Sequence, residues 1–84
     1  MDTSDKGSRL DGGFQIYDAR SIGHALRHYR LEAGLTQAEL AERTGLTRQY
    51  VNEMEQGLET EQVRRLLRVL KSLGVRANLG YQDW

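Results

Sequence analysis

Eighty-four residues allow one domain, and a chain near this size draws only a few kcal/mol from its core, so oligomerisation is a common source of added stability. The absence of cysteine excludes disulfide staples and thiolate metal sites. Twelve Lys and Arg balance twelve Asp and Glu, which excludes a uniformly basic nucleic-acid binder and puts the weight on how the charges are distributed.

The first thirteen residues, MDTSDKGSRLDGG, hold one leucine among Asp, Ser and Gly and bury too little surface to offset their ordering entropy, so a flexible tail is expected over 1–13. Asp2 and Asp5 argue against a signal peptide, and no apolar run approaches the ~20 residues of a membrane span. The expected location is cytoplasmic, on the nucleoid when DNA is bound. Gly7, Gly12 and Gly13 follow no strand and so make no phosphate-cradling loop.

Phe14 to Tyr17 alternates as a short strand does, and Asp18 is placed to cap the helix that follows. From Ala19 to about Ala33, the residues Ile22, Ala25, Leu26, Tyr29 and Ala33 recur at three- and four-residue steps as one apolar face. Gly23 inside this helix costs up to about 1 kcal/mol relative to Ala, which marks it as the place of a close backbone contact. His24 and His28 share a helix face, but no third ligand candidate is nearby, so they read as surface or interface histidines and no metal or other cofactor is expected.

Thr36 to Gly57, TQAELAERTGLTRQYVNEMEQG, carries the densest local signals. Thr36 with Glu39 reads as a capping box. The helix it opens ends by Thr44, Gly45 supplies the left-handed residue, Leu46 turns into the corner and Thr47 caps the next helix. Two helices joined by about three residues with Gly inside form a helix-turn-helix. In the second of them Val51 and Met54 face the core, and Arg48, Gln49, Asn52 and Glu53 form a polar, donor-rich face on the other side.

Thr60 can cap a fourth helix whose Val63, Leu66, Leu67, Leu70 and Leu73 make a continuous apolar face, ended by Gly74. Arg64, Arg65, Arg68, Lys71 and Arg76 form a basic run, set apart from acids at Asp2, Asp5, Asp11 and Asp18 and at Glu53, Glu55, Glu59 and Glu61. Val75, Ala77, Leu79 and Tyr81 then alternate with polar residues or Gly, a period of two that reads as a strand in need of a partner. Pairing with the same strand of a second chain across a two-fold axis is preferred to pairing only with Phe14 to Tyr17, because it covers apolar surface and strand edge together.

Arg30, Gly34-Leu35-Thr36-Gln37, Glu39-Leu40-Ala41, Gly45, Val51 and Glu55-Gln56-Gly57 stand in an order and spacing that resemble the lambda-repressor-like, or Xre-type, helix-turn-helix family. From about Phe14 onward the chain looks most like the HipB-like antitoxins of that family. The resemblance implies a mainly α fold, a bundle of about four helices with a C-terminal strand that pairs in a dimer. It implies three parts: the tail 1–13, the DNA-binding domain 14–74 and a dimerisation segment 75–84. It also implies a partly buried ion pair between Arg30 and Glu55. A Lys often follows the Glu-x-Gly turn in the family, but here Leu58 and Glu59 stand there, which weakens the phosphate clamp.

The expected function is a non-enzymatic, sequence-specific DNA-binding antitoxin and autorepressor. It would act as a homodimer on an inverted-repeat operator in double-stranded DNA; the antitoxin role and its partner, a HipA-like serine/threonine kinase toxin, are what the resemblance alone implies. Arg48 and Gln49 are best placed to reach bases, with Asn52 assisting. Tyr50 either packs on DNA or closes the core, and Glu53 shares the recognition face. Gln37 begins the second helix at an anion-favouring N-terminus, while Arg43 and Thr47 flank the turn. Trp84, the only tryptophan, either folds over the strand or contacts the toxin. The alternatives are a stand-alone repressor and a protein-interaction module without DNA binding.

Overall fold

The computed structural model describes residues 13–81, so all but the last residue of the tail expected over 1–13, and Trp84, lie outside the described residues. In chain order the elements are β1 (Phe14–Ile16), α1 (Ala19–Glu32), α2 (Gln37–Thr44), α3 (Arg48–Glu55), α4 (Glu61–Leu73) and β2 (Ala77–Leu79). Each helix starts where a side chain can take an orphan N–H. Asp18 accepts from the Ser21 amide at 2.9 Å while the Ser21 hydroxyl takes the Asp18 amide at 3.0 Å. These bonds to Ser21 hold the Asp18 carboxyl below its ordinary range. Thr36, Thr47 and Thr60 cap α2, α3 and α4 in turn.

α3 packs on both α1 and α2. The contact to α1 is made close by small residues: Ala25 is fully buried, and Gly23 lies so near the last turn of α3 that a Cβ there would sit 2.5 Å from the carbonyl oxygens of Met54 and Glu55. The cost of a glycine inside α1 thus marks a backbone contact, as the sequence suggests. Ile16, Ala19, Ala41 and Val51 complete the buried apolar set. Ile22, Leu26 and Tyr29 are half-buried on the apolar face of α1, while Ala33 is exposed at its end.

β1 and β2 pair antiparallel in a two-stranded sheet, with Phe14 opposite Leu79 and Ile16 opposite Ala77. The C-terminal strand therefore finds its partner within the chain, on one of its two edges. It is also shorter than the alternation predicts: Val75 and Tyr81 lie outside it and are exposed. Gly13, the last residue of the expected tail, is buried against the Leu79 carbonyl. Phe14, His28, Tyr29 and Tyr81 form a run of tilted and edge-to-face rings with centroids 4.8–5.5 Å apart. Tyr29 donates to the Leu79 carbonyl and Tyr81 to Glu32, at 3.0 and 2.5 Å, which ties the sheet to α1. The bond to Glu32 raises the Tyr81 hydroxyl's pKa, since the carboxylate favours the protonated phenol.

α4 differs from what its apolar spacing suggests. None of its residues is buried, Val63, Leu67 and Leu70 are half-buried, and Leu66, Val69 and Leu73 are 59%, 54% and 69% exposed. The expected single face is therefore split into an inner stripe, which packs on the chain, and an outer one, which does not.

Candidate nucleic-acid interface

The joint between α2 and α3 is built by local chemistry. The Thr36 hydroxyl accepts from the Glu39 amide at 3.0 Å and the Glu39 carboxylate takes the Thr36 amide at 2.8 Å. At the other end Gly45 has φ 75°, the left-handed conformation that ends a helix without a Cβ penalty. The Leu46 amide returns to the Ala41 carbonyl at 3.0 Å, but its side chain is 41% exposed and does not fill the corner as expected. The Thr47 hydroxyl then accepts from the Tyr50 amide at 3.0 Å and α3 begins at Arg48.

Behind α3 lies the ion pair that the resemblance implies. Arg30 Nε and Nη2 bond the two Glu55 oxygens at 2.6 and 3.0 Å, and Nη1 bonds the Leu35 carbonyl at 2.7 Å. Both residues are buried. The hydrogen bond from Arg30, with a further one from Gln37, holds the Glu55 carboxyl below its ordinary value against the opposing effect of burial. The same bond pushes the Arg30 guanidinium still further from deprotonation. The pair fixes the angle between α1 and α3, and Gln37 extends it to α2: its Nε2 lies 3.1 Å from Glu55 Oε1 and 3.1 Å from Asn52 Oδ1.

Outside this network α3 presents Arg48 and Gln49, both exposed, with Glu53 half-buried beside them. Gln49 Nε2 approaches Glu53 Oε2 at 3.3 Å. Tyr50 is 40% exposed, and its ring lines the cleft between α1, α3 and α4 along with Ile22, Leu26, Met54, Leu58 and Val63, so both of its expected roles remain open to it. Arg43 and Thr47 are exposed around the turn, with Arg43 about two helical turns from Gln37. Gln56, which caps the C-terminus of α3, brings its Nε2 to 3.4 Å from Asn52 Oδ1, a contact signalled in the sequence by its place four residues after Asn52.

The basic run is less bare than its sequence suggests. Arg64 pairs with Glu59 at 3.5 Å and Arg65 with Glu61 at 2.8 Å. Arg76 lies over the Tyr17 ring, 5.5 Å from its centroid, and donates to Gln15. Among the described residues Arg68 and Lys71 form no ion pair, so the run's charge is only partly compensated. His28 Nε2 lies 3.5 Å from Glu32 Oε2, and the described residues contain no cluster of three groups suited to a metal. Among them, too, no helix is long and apolar enough to cross a membrane.

A short helix, a left-handed glycine turn and a second helix with an exposed polar face define a helix-turn-helix module, the architecture that places its second helix in a DNA groove. A family model described as a helix-turn-helix domain matches residues 21–79. The chain belongs to that helix-turn-helix domain family. It is 43% identical over 49 residues to an HTH-type transcriptional regulator of Methanothermobacter thermautotrophicus, a match covering 58% of this chain and 71% of that protein.

Proposed function

We propose that the protein is a sequence-specific DNA-binding transcriptional regulator that reads an inverted repeat as a homodimer. The observation that carries this reading is the polar face of α3, with Arg48 and Gln49 exposed and Asn52 and Glu53 half-buried beside them, held from behind by the buried Arg30–Glu55 pair. The matched helix-turn-helix domain and the relative named as a regulator support it. Arg favours guanine and Gln favours adenine in the major groove. Gln49→Ala should therefore weaken binding to a selected site by about 1–3 kcal/mol and leave random DNA nearly unaffected, as read by fluorescence anisotropy at fixed salt. Equal losses on both DNAs remove Gln49 from base reading. If the intact protein retains no salt-sensitive DNA binding at all, the module serves protein contacts instead.

The homodimer is supported by what the chain leaves uncovered. Leu66, Val69 and Leu73 form a stripe on the outer side of α4, Val75 adjoins it, and β2 has one edge without a strand partner among the described residues. Ala77 and Leu79 of β2 would lie next to this contact and Tyr81 at its rim. A β-ribbon across the two-fold axis would place two copies of α3 on successive major-groove faces, about 34–36 Å apart. Cutting the chain after Gly74 would also unpair β1, so surface substitutions test the dimer more cleanly. Leu66→Asp combined with Leu73→Asp should give monomers in sedimentation with helix content unchanged. Operator affinity should fall towards the non-specific level, by about 10³-fold or more. A dimer that persists in the variant places the interface elsewhere.

The finer reading, supported by the resemblance to HipB-like antitoxins, makes the protein an antitoxin that represses its own operon and binds a HipA-like serine/threonine kinase toxin. Co-purification with the product of an adjacent open reading frame tests it. Deleting Gln82 to Trp84 asks whether the expected Trp84 contact contributes. A stand-alone repressor would have no such neighbour.

A further inference from the structure

The amide of Asn52 can in general both accept and donate, and its surroundings leave it one of the two. Arg30 grips both oxygens of Glu55, so that carboxylate is an acceptor only. The Gln37 atom 3.1 Å from Glu55 Oε1 must therefore be the amide nitrogen Nε2. That nitrogen also lies 3.1 Å from the Asn52 side chain, and a second N–H pointing there requires an oxygen, so Oδ1 of Asn52 faces Gln37. Gln56 Nε2 approaches the same oxygen at 3.4 Å, which engages its second lone pair. What remains is Nδ2, which has no hydrogen-bond partner among the described residues, on a side chain that is half-exposed in the polar face of α3.

We infer that Asn52 meets DNA as a hydrogen-bond donor only, its polarity set through Gln37 by the buried Arg30–Glu55 pair. The inference rests on the DNA-reading role proposed above. An asparagine that reads adenine uses both ends of its amide, accepting from N6 and donating to N7. Asn52 has no oxygen to give, and its Nδ2 hydrogens would meet the N6 hydrogens of adenine donor to donor. Its best partners are sites with acceptors and no neighbouring donor: guanine, whose O6 and N7 both accept, thymine O4, or a phosphate oxygen; adenine offers N7 alone, beside the N6 hydrogens that repel a donor.

Site selection from random duplexes by the full-length protein and by Asn52→Asp tests this, with side-chain amide NMR on the free protein as the second measurement. Asn52→Asp keeps the inward oxygen and replaces the outward donors with an acceptor. If the contact is to a base, the intact protein selects guanine or thymine at one position and the variant moves there to cytosine or adenine, with about a tenfold or greater loss on the original site. If it is to phosphate, the variant loses about as much on every sequence and its preferences stay the same. Unchanged affinity and preference in the variant overturn the inference, as does selection of adenine that Asn52→Asp abolishes. The NMR experiment needs no DNA: the Gln37 Nε2 hydrogens should be protected from exchange and the Asn52 Nδ2 hydrogens should exchange as freely as an exposed amide. Protected Asn52 hydrogens overturn the assigned polarity. The expected exchange pattern without enrichment of any duplex overturns the DNA reading, and the reader role with it.

Discussion

Glu55→Ala is expected to cost about 3–5 kcal/mol, enough to remove most of the stability of a domain this small. The loss follows from what stays behind. Arg30 would keep a buried guanidinium with only the Leu35 carbonyl as partner, and Gln37 would lose the acceptor that ties α2 to α3. Arg30→Ala leaves the converse, a buried carboxylate held only by Gln37, and should be about as damaging. Replacing both residues by apolar ones of similar size should be much milder, because no charge is stranded. Urea melts of the three variants order these effects, and a double variant as unstable as the singles would show that the pair contributes more than mutual neutralisation.

The same pair predicts the response to acid. Glu55 holds its proton more weakly in the folded chain than in the unfolded one, so the unfolded state takes up more protons as the pH falls. Its contribution to stability is thus fully present above the ordinary carboxyl range, near pH 4.5, and is lost as the pH drops through the lowered folded value. Asp18, lowered by its bonds to Ser21, acts in the same direction but is exposed and contributes less. Urea midpoints should be flat from neutral pH to about 5 and fall below it. In a variant that lacks both charges of the buried pair, the fall should be shallower.

Nearly every helix boundary was legible, because Asp18, Thr36, Gly45, Thr47, Thr60 and Gly74 act on backbone groups within a few residues of themselves. The partner of β2 was less so. The alternation at Val75 to Tyr81 shows a strand but not which chain supplies the other one, and the pairing of Ala77 with Ile16 closes a loop of about sixty residues that no local signal announces. The same limit applies to the site. Gln56 lies one turn from Asn52 and could have been found by spacing, whereas the bond from Gln37 to Asn52 crosses between helices and depends on how α2 lies against α3. The basic run is acid-free along the chain, yet Glu59 and Glu61 meet Arg64 and Arg65 five and four residues away.

Gly23→Ala should destabilise the domain, and its sign runs against helix propensity. Alanine in the middle of α1 is worth up to about 1 kcal/mol over glycine, so an uncrowded site would be stabilised. Here the added methyl meets the Met54 and Glu55 carbonyl oxygens at 2.5 Å and the Glu55 carbonyl carbon at 2.8 Å. All three atoms are backbone, so no side-chain rotation relieves the clash; α1 and the end of α3 must separate. Such overpacking costs about 1–3 kcal/mol and occasionally more, and here it also pulls on the short bonds between Arg30 and Glu55. The net expectation is a loss of about 2 kcal/mol or more in urea melts. Operator binding should weaken with it, because Gly23 presses on the same turn of α3 that holds Asn52 and Glu55. Gly45→Ala gives the comparison: nothing lies within 4 Å of its added Cβ, so the cost is that of left-handed backbone alone, about 1–2 kcal/mol. A Gly23→Ala variant as stable as the parent would mean that the two helices can move apart freely, and the close contact would then not be what sets their spacing.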